Sequence, residues 1–296
     1  MNVRESLLKE LEALDRMPTL PASLIPLLRY MEQPDETLDL QQVIELISQD
    51  KSLAVQCLHM ANSPLFGRSQ TVESIRDAVV TLGLQRMRDI AASCSMLAIL
   101  PSENAGMDPA ILWEHSLGCA LVCRQFARAI GFPDPAKAYL AGLLHDVGVV
   151  ALLWILPTEF SEALELARSE HIPLHEAELR VPEITHAETG KLVAERWRLP
   201  AEMVSVVACH HDPRGATAYR DLVALTSLSD ILCRMNGLGH GSVEDREVDF
   251  EEEPGFGILL QEHPQLRSFD WARFTFEMED FMEEVHRLVS LMYHPS

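Results

Sequence analysis

Residues 143–148 read Leu-Leu-His-Asp-Val-Gly, and this short stretch decides how the chain is interpreted. His145 and Asp146 stand side by side within an apolar segment that extends over residues 136–156. Burying an imidazole and a carboxylate in such surroundings is costly unless they are paired or bound to a cation. The segment therefore predicts a buried helical stretch, interrupted at Gly148, that carries polar groups into a core.

The rest of the sequence has the same helical character. Aromatic residues make up only 6% of the chain, and long β-branched runs are absent. Asp108 followed by Pro109 is typical of a helix start, with Gly131 as the matching stop. Residues 185–188, Thr-His-Ala-Glu, fit a capping box that opens another helix. We predict an all-α fold.

The length of 296 residues suggests about two domains, at roughly 150 residues each. A loop of small and polar residues at 102–107 follows the helix-stopping Pro101 and marks the boundary. We predict a helical N-terminal subdomain at 1–104, a helical core at 105–240, and an acidic linker with a C-terminal helix at 241–296.

The formal net charge of −21 argues against nucleic acid and anionic membranes as partners, because both attract a positive surface. Residues 241–296 hold fourteen acidic residues against four Arg. This excess indicates either a solvated helix face with an acidic linker, which we favour, or an interaction tail.

Three features indicate a cytoplasmic protein. The six cysteines form no CxxC pair, which favours buried thiols in a reducing compartment. The charged N-terminus is unlike a signal peptide. The longest apolar runs, at 96–100 and 149–156, are too short to span a bilayer.

Seven residues in or beside the predicted helices are candidate metal ligands, because imidazole and carboxylate bind divalent ions such as Zn, Mn, Fe and Ni. A lone buried His is more often a satisfied core residue, but adjacent pairs occur at 145–146 and again at 210–211. From the spacing alone, a metal site and a metal-free core are equally open. The seven are His115, His145, Asp146, His186, His210, His211 and Asp230.

The order of these residues resembles the HD superfamily of metal-dependent phosphohydrolases. That superfamily places a first His on an early helix, then a His-Asp doublet, then a closing Asp; His115, the 145–146 doublet and Asp230 match this order. Residues 184–190 (Ile-Thr-His-Ala-Glu-Thr-Gly) and 209–211 (Cys-His-His) resemble the second-metal ligands of the two-metal HD-GYP branch.

The chain is also similar to the HDOD domain, an HD relative found in bacterial signalling proteins. The similarity covers roughly residues 10–215. It implies an N-terminal helical subdomain packed on an HD-type helical core, followed here by a C-terminal helical extension. The motifs are Met-Pro-Thr-Leu-Pro at 17–21, Ile-Ser-Gln-Asp at 47–50, Ala-Asn-Ser at 61–63, Ala-Val-Val-Thr-Leu-Gly at 78–83 and Trp-Arg-Leu-Pro at 197–200.

The resemblance also implies roles for the seven candidates. One divalent ion would be surrounded by His115, His145, Asp146 and Asp230, and a second would be held by His186, His210 and His211. Asp146 would bridge the two ions, and it would be the catalytic residue of the centre if the protein is an enzyme. One or two divalent ions of Fe, Mn, Zn, Ni or Mg are the expected cofactors.

The chain departs from HD-GYP enzymes where a substrate phosphate would bind. Val149 stands where those enzymes usually carry a Lys, and the GYP stretch is missing after the double histidine. Arg214 and Lys191 are candidate phosphate contacts. We interpret the other histidines, among them His175 and His240, as exposed or structural.

Three functions are compatible with these features. The first, which the family context favours, is a bacterial regulatory protein of signal transduction that binds a protein partner or a small phosphorylated ligand. In this interpretation nucleic acid and membrane are not partners, and a homodimer is left open. The second is a metal-dependent phosphohydrolase that acts on a phosphomonoester or phosphodiester. The third is a di-iron oxygenase, as in inositol-oxygenase-like HD proteins.

Overall fold

The computed structural model describes residues 26, 40–66, 71–101, 107–241 and 248–293. Within these ranges the chain folds into α-helices joined by loops and short 3-10 turns, without any strand, so the all-α prediction is confirmed. The motif at 17–21 lies outside the described residues.

The described helices fall into two sets along the chain, before and after Pro101. Those before Pro101 are α1 (Leu40–Gln49), α2 (Lys51–Ala61), α3 (Ile75–Leu82) and α4 (Leu84–Leu97). Those after it are α5 (Pro109–Ala129), α6 (Pro135–Leu144), α7 (Val147–Ile155), α8 (Pro157–Glu170), α9 (Leu174–Arg180), α10 (His186–Arg196), α11 (Ala201–Cys209), α12 (Arg220–Met235), α13 (Pro254–Glu262) and α14 (Trp271–Tyr293). The 3-10 turns lie at Pro64–Phe66, Pro213–Gly215 and Pro264–Ser268.

The helices group into two compact units. One unit, which we call the central unit, contains the described residues between Pro101 and Phe276. The other, the outer unit, contains those between Thr19 and Leu100 together with those from Glu277 onward. The limits given above for three segments, 1–104, 105–240 and 241–296, stay a prediction.

The outer unit has an apolar core of its own. Ile47 from α1, Met60 from α2, and Met87 and Ile90 from α4 have no exposed surface. Gly83, with a φ of +87°, separates α3 from α4 in a conformation that residues with a Cβ avoid. The chain can therefore change direction between these two short helices.

The helix that carries His115 begins and ends where the sequence predicts. The Asp108 side chain accepts a hydrogen bond from the N–H of Ala110, and Pro109 occupies the first helical position. Gly131, with a φ of +66°, follows the end of α5 in the left-handed conformation. The capping box at 185–188 is likewise present, and it places His186 at the first position of α10.

The apolar segment at 136–156 is interrupted at a different point from the one expected. The break lies at the His145-Asp146 doublet itself, between the end of α6 and the start of α7, and not at Gly148. Gly148 lies within α7, where it allows that helix to pack closely on the start of α10. The expectation was wrong because glycine was taken as a breaker of the helix, whereas here it allows two helices to approach.

Two glycines of this segment allow the backbones of their helices to contact the backbones of neighbouring helices. A Cβ built on Gly148 would lie 1.8 Å from the carbonyl oxygen of His186, and one on Gly142 would lie 2.6 Å from that of Cys119. Only glycine fits such contacts. As a result α6 packs on α5, and α7 packs on the start of α10, which fixes the doublet between the other ligand-bearing helices.

One described stretch, Pro135–Ile155, is long and apolar enough to cross a membrane, contrary to our expectation that every apolar run is too short. The stretch combines α6 and α7, and 94% of its most apolar window is buried inside the protein. Its composition is explained by its place in the core, between α5 and α10.

Candidate metal centre

The seven predicted ligands, which lie far apart in the sequence, converge within the central unit. His115 lies in α5, the doublet lies between α6 and α7, and His186 opens α10. The double histidine follows α11, and Asp230 lies in α12. The structure therefore brings all seven side chains to one place, although they come from five separate parts of the chain.

One part of the cluster, the first group, consists of His115, His145 and Asp146. The Nε2 atoms of His115 and His145 are 3.1 Å apart, and each lies 3.3 Å from Asp146 Oδ2. Asp230 adjoins this group, with its Oδ1 atom 3.4 Å from His115 Nε2. The two imidazoles are fully buried.

The other part, the second group, consists of His186, His210 and His211 together with the same Asp146. The Nε2 atoms of His186 and His210 each lie 3.3 Å from Asp146 Oδ1. His186 Nε2 is also 2.8 Å from His211 Nε2. In each group the ligand atoms lie within 4.8 Å of one another, so Asp146 presents one carboxylate oxygen to each set.

Backbone carbonyls orient three of the imidazoles. His115 Nδ1 donates to the carbonyl of Leu238 at 2.6 Å, and His145 Nδ1 donates to that of Gly142 at 2.7 Å. His210 Nδ1 likewise donates to a carbonyl of its own helix. Because a carbonyl can only accept, the Nδ1 atom of each ring carries a hydrogen, and a neutral ring then directs its Nε2 lone pair into the cluster. This arrangement is typical of metal-ligating histidines.

His186 is oriented by a buried carboxylate. Its Nδ1 atom lies 2.8 Å from Glu178 Oε2, and its backbone N–H donates to the same oxygen at 2.8 Å. Glu178 has no exposed surface and comes from α9, a short helix that our sequence analysis did not predict. A carboxylate behind a ligating imidazole raises the basicity of that ligand.

Asp146 provides the test of whether this cluster suits a cation. The residue is 2% exposed, and among the described residues neither of its carboxylate oxygens has a partner in hydrogen-bonding geometry. A buried carboxylate in this state is costly unless a positive charge meets it. The Nε2 atoms of surrounding imidazoles face it instead, and the donor set of imidazole and carboxylate fits divalent ions.

Carboxylates in and beside the cluster raise the pKa values of two of its histidines. Burial lowers the pKa of His115, but the adjacent carboxylates of Asp146 and Asp230 outweigh it and hold that pKa well above its ordinary value. Burial lowers the pKa of His186, while Glu178 and Asp146 raise it, with a net result of about 9. Metal binding at these two rings would therefore displace protons.

The cluster reaches solvent at His211. This side chain is 16% exposed, whereas His210 beside it is fully buried. The ring of His175 stacks on that of His211 at a centroid distance of 4.1 Å. Burial and the charge of His186 lower the pKa of His175 to about 3, so this ring is neutral at pH 7. His175, which we had interpreted as exposed or structural, is thus a neighbour of the candidate site.

His240, which we had interpreted as exposed or structural, also lies at the cluster. It is 5% exposed, its Nε2 atom lies 2.7 Å from Asp146 Oδ2, and its ring packs on that of His115 at a centroid distance of 4.5 Å. It follows α12 in a stretch with glycine at 237, 239 and 241, where no helical periodicity points to a site. The spacing of those glycines was the one feature of the sequence that could have indicated a tight turn placing His240 near the cluster.

The candidate phosphate contacts, unlike the ligands, are exposed. Arg214 lies in a 3-10 turn and Lys191 lies in α10, and both side chains are exposed. Val149, at the position where HD-GYP enzymes usually carry a Lys, has no exposed surface. Asp230 accepts from Arg234 Nε at 3.1 Å, so this cation is engaged with a candidate ligand.

Known proteins share this architecture. A protein of unknown function with an HDOD domain, from Geobacter sulfurreducens, superposes with a TM-score of 0.83 at 29% identity, and the match covers 98% of each chain. A protein from Shewanella amazonensis, provisionally assigned as a phosphohydrolase, has a TM-score of 0.69 at 22% identity over 96% of this chain and 98% of its own. At that identity the second likeness shows the fold alone.

The sequence comparisons agree with the fold. An uncharacterized protein of Treponema pallidum is 28% identical over 262 residues, which cover 87% of this chain and 49% of that protein, so the chain spans about half the length of this relative. The family model of the HDOD domain matches residues 17–213. Together with the helical architecture and the His/Asp cluster, this match shows that the chain belongs to the HDOD family.

Proposed function

We propose that this chain is a cytoplasmic regulatory protein of signal transduction whose central unit holds two divalent cations. The observation that carries the proposal is the Asp146 carboxylate, which is buried, lacks hydrogen-bond partners among the described residues, and directs one oxygen to each group of imidazoles. A carboxylate shared in this way suits two neighbouring cations better than one.

The seven residues divide naturally between the two cations. The first group with Asp230 would hold one, and the second group would hold the other, with Asp146 common to both. Such a pair of ions supplies Lewis acidity and an activated water when bound. The protein's own contribution is orientation, because carbonyl oxygens and Glu178 hold the rings in place.

Two features favour regulation over hydrolysis. The residue after the doublet's glycine is the buried Val149, which cannot hold a phosphate, and the two candidate cationic contacts are exposed. A ligand could still approach the second group, where His211 reaches solvent. We expect either a small phosphorylated ligand or a signalling protein to be sensed there.

The second candidate function is metal-dependent phosphohydrolysis of a phosphomonoester or phosphodiester. The observation that favours it is that each group has at least three candidate ligand residues and that both groups share the Asp146 carboxylate. Regulation alone does not require two complete groups. The two functions therefore differ in turnover and not in metal content.

Metal analysis of the purified protein tests the proposal, with Asp146→Asn as the decisive variant. We expect about two divalent ions per chain in the wild type, and a loss of affinity of more than about 100-fold for both ions in the variant, because both share this carboxylate. Asp280→Asn, which changes an exposed aspartate of α14, is the matched control and should bind like the wild type. Wild-type protein that takes up no Mg, Mn, Fe, Co, Zn or Ni at millimolar concentration would contradict the metal centre.

A screen with generic phosphoesters then separates the two functions. Turnover by the metal-loaded wild type that disappears in Asp146→Asn would favour the phosphohydrolase. Metal binding without turnover on any phosphomonoester or phosphodiester would favour the regulatory protein.

A further inference from the structure

The segment that follows α12 turns back over the candidate metal centre. We call residues 237–241, Gly-Leu-Gly-His-Gly, the glycine loop. Gly237 has a φ of +82°, and the N–H of Leu238 donates to the carbonyl of Cys233 at 2.9 Å, which ends the helix and reverses the chain. This reversal carries His240 from the end of α12 to the buried carboxylate of Asp146.

The glycine loop is fixed at both of its ends. At one end the carbonyl of Leu238 accepts from His115 Nδ1, and the Leu238 side chain occupies the space that a Cβ on Gly118 would take, 2.6 Å from its Cδ1 atom. At the other end the carbonyl of Gly241 accepts from Arg168 Nε at 3.1 Å. His240 is therefore held over the first group by contacts on both sides of it.

The His240 ring is placed like a ligand. Its Nε2 atom is buried, lies 2.7 Å from Asp146 Oδ2, and has no partner in hydrogen-bonding geometry among the described residues. The same carboxylate oxygen faces the Nε2 atoms of His115 and His145 at 3.3 Å. Three imidazole nitrogens thus surround one oxygen of the bridging carboxylate.

We propose that His240 is an additional ligand of the cation held by the first group. This inference rests on the proposed two-cation centre and adds to it an eighth residue that the HD order of ligands does not contain. The first cation would then have three imidazoles and two carboxylates, from His115, His145, His240, Asp146 and Asp230.

A cation with five protein ligands is nearly closed to other molecules. Metal sites that bind substrates keep an open position, whereas structural sites are filled by protein ligands. The second group, with three imidazoles and one carboxylate, retains open positions and includes the exposed His211. Exogenous ligands would therefore bind the second cation, while the first cation anchors the glycine loop.

The experiment uses the full chain, Co²⁺ as the probe, and the variant His240→Gly. We expect the affinity for one of the two Co²⁺ ions to fall at least about 10-fold, while the affinity for the other changes much less. The visible absorption band of the weakened ion should change because an imidazole is lost. Free imidazole at millimolar concentration should restore both the band and the affinity, since it can occupy the space that the side chain leaves.

His263→Gly is the matched control, because His263 is a buried histidine outside the cluster that stacks on Phe132. It should leave Co²⁺ binding unchanged. Thermal unfolding of the metal-free variants checks that each folds.

The possible results separate the inference from the proposal on which it rests. Two ions bound by His240→Gly with wild-type affinity and an unchanged band would overturn the role of His240 and leave the two-cation centre standing. A weakened site that imidazole does not restore, together with a less stable metal-free protein, would assign His240 to packing and overturn the inference as well. No Co²⁺ bound by the wild type would overturn both.

Discussion

The two groups of imidazoles around Asp146 differ in one of the contacts that orient their rings and in their access to solvent. In the first group, His115 and His145 are fully buried and donate to the neutral backbone carbonyls of Leu238 and Gly142. In the second group, His186 donates to the charged carboxylate of Glu178, and His211 reaches solvent. The first group is thus built for a fixed, sealed site, and the second for an electron-rich site that other molecules can reach.

This difference follows from where the ligands lie on the helices. The first group comes from the interior of α5 and from the break between α6 and α7, where Gly142 lets the helices approach closely. The second group comes from the first residue of α10 and from the end of α11, where helices meet loops. Of the second group, only His211, which follows the end of α11, reaches solvent.

The largest expected effect is that of Gly148→Ala. Gly148 lies two residues after Asp146 and packs against the backbone of His186, so this contact sets the position of the second group relative to Asp146. The new Cβ would lie 1.8 Å from the carbonyl oxygen of His186, which forces α7 and α10 apart. We expect a loss of at least about 3 kcal/mol in the free energy of unfolding and the loss of bound metal. Urea denaturation and metal analysis measure the two effects.

Gly257→Ala is the control for this substitution. Gly257 is exposed within α13, and a Cβ there would meet nothing within 4 Å. Since alanine favours helix over glycine by about 1 kcal/mol, this variant should be slightly more stable than the wild type. Equal stabilities for the two variants would show that the backbone contact at Gly148 is not limiting.

A second prediction concerns pH. The pKa of His186, raised to about 9, means that its ring carries a proton at pH 7 in the metal-free protein, and the pKa of His115 is raised as well. A cation can bind these rings only after displacing the protons, so affinity should rise with pH, by up to about tenfold per unit for each proton displaced, until about pH 9. Calorimetry in buffers of different ionisation enthalpy counts the protons released, and a pH-independent affinity would contradict this prediction.

The sequence could predict the ligands that lie in recognisable motifs. The doublet at 145–146, the capping box at 185–188 and the double histidine each combine a local pattern with a ligand, and helix signals such as Asp108-Pro109 were confirmed. The all-α fold follows from the same helical patterns.

The sequence could not predict contacts made by segments without periodicity. Glu178 lies in α9, a helix of seven residues, which is too short to give a convincing pattern. His240 lies in the glycine loop, whose course depends on a left-handed turn at Gly237 and on the docking of Leu238 against Gly118. These tertiary contacts have no counterpart in local spacing.

A third prediction sharpens the difference between the groups. Glu178→Gln keeps the shape of the side chain but removes the charge behind His186, so the affinity of the second group should fall about 10- to 100-fold while that of the first group changes little. Glu176→Gln removes an exposed charge from the same helix and should have no effect on metal binding. Equal weakening of both cations in Glu178→Gln, measured by competition with a chelator, would show that the groups are not independent.

The smallest expected effect comes from the helix caps. Thr185→Ala removes the capping box immediately before His186 and should lower the stability by about 1 kcal/mol, with a modest loss of affinity at the second group. Asp108→Ala removes the cap of α5, seven residues before His115, and should lower the stability similarly without changing metal binding. Thermal unfolding with parallel metal titration distinguishes the two.

The last helix has a consequence for how the protein is made. From Glu277 onward, α14 groups with α1 to α4, and its buried residues there include Val285, Leu288 and Val289. A ribosome therefore releases the segment with α1 to α4 long before it releases the helix that completes the apolar core of that segment. The outer unit is begun early and completed only after the whole central unit has been made, so we expect truncations that remove α14 to damage the outer unit before they affect the metal ligands.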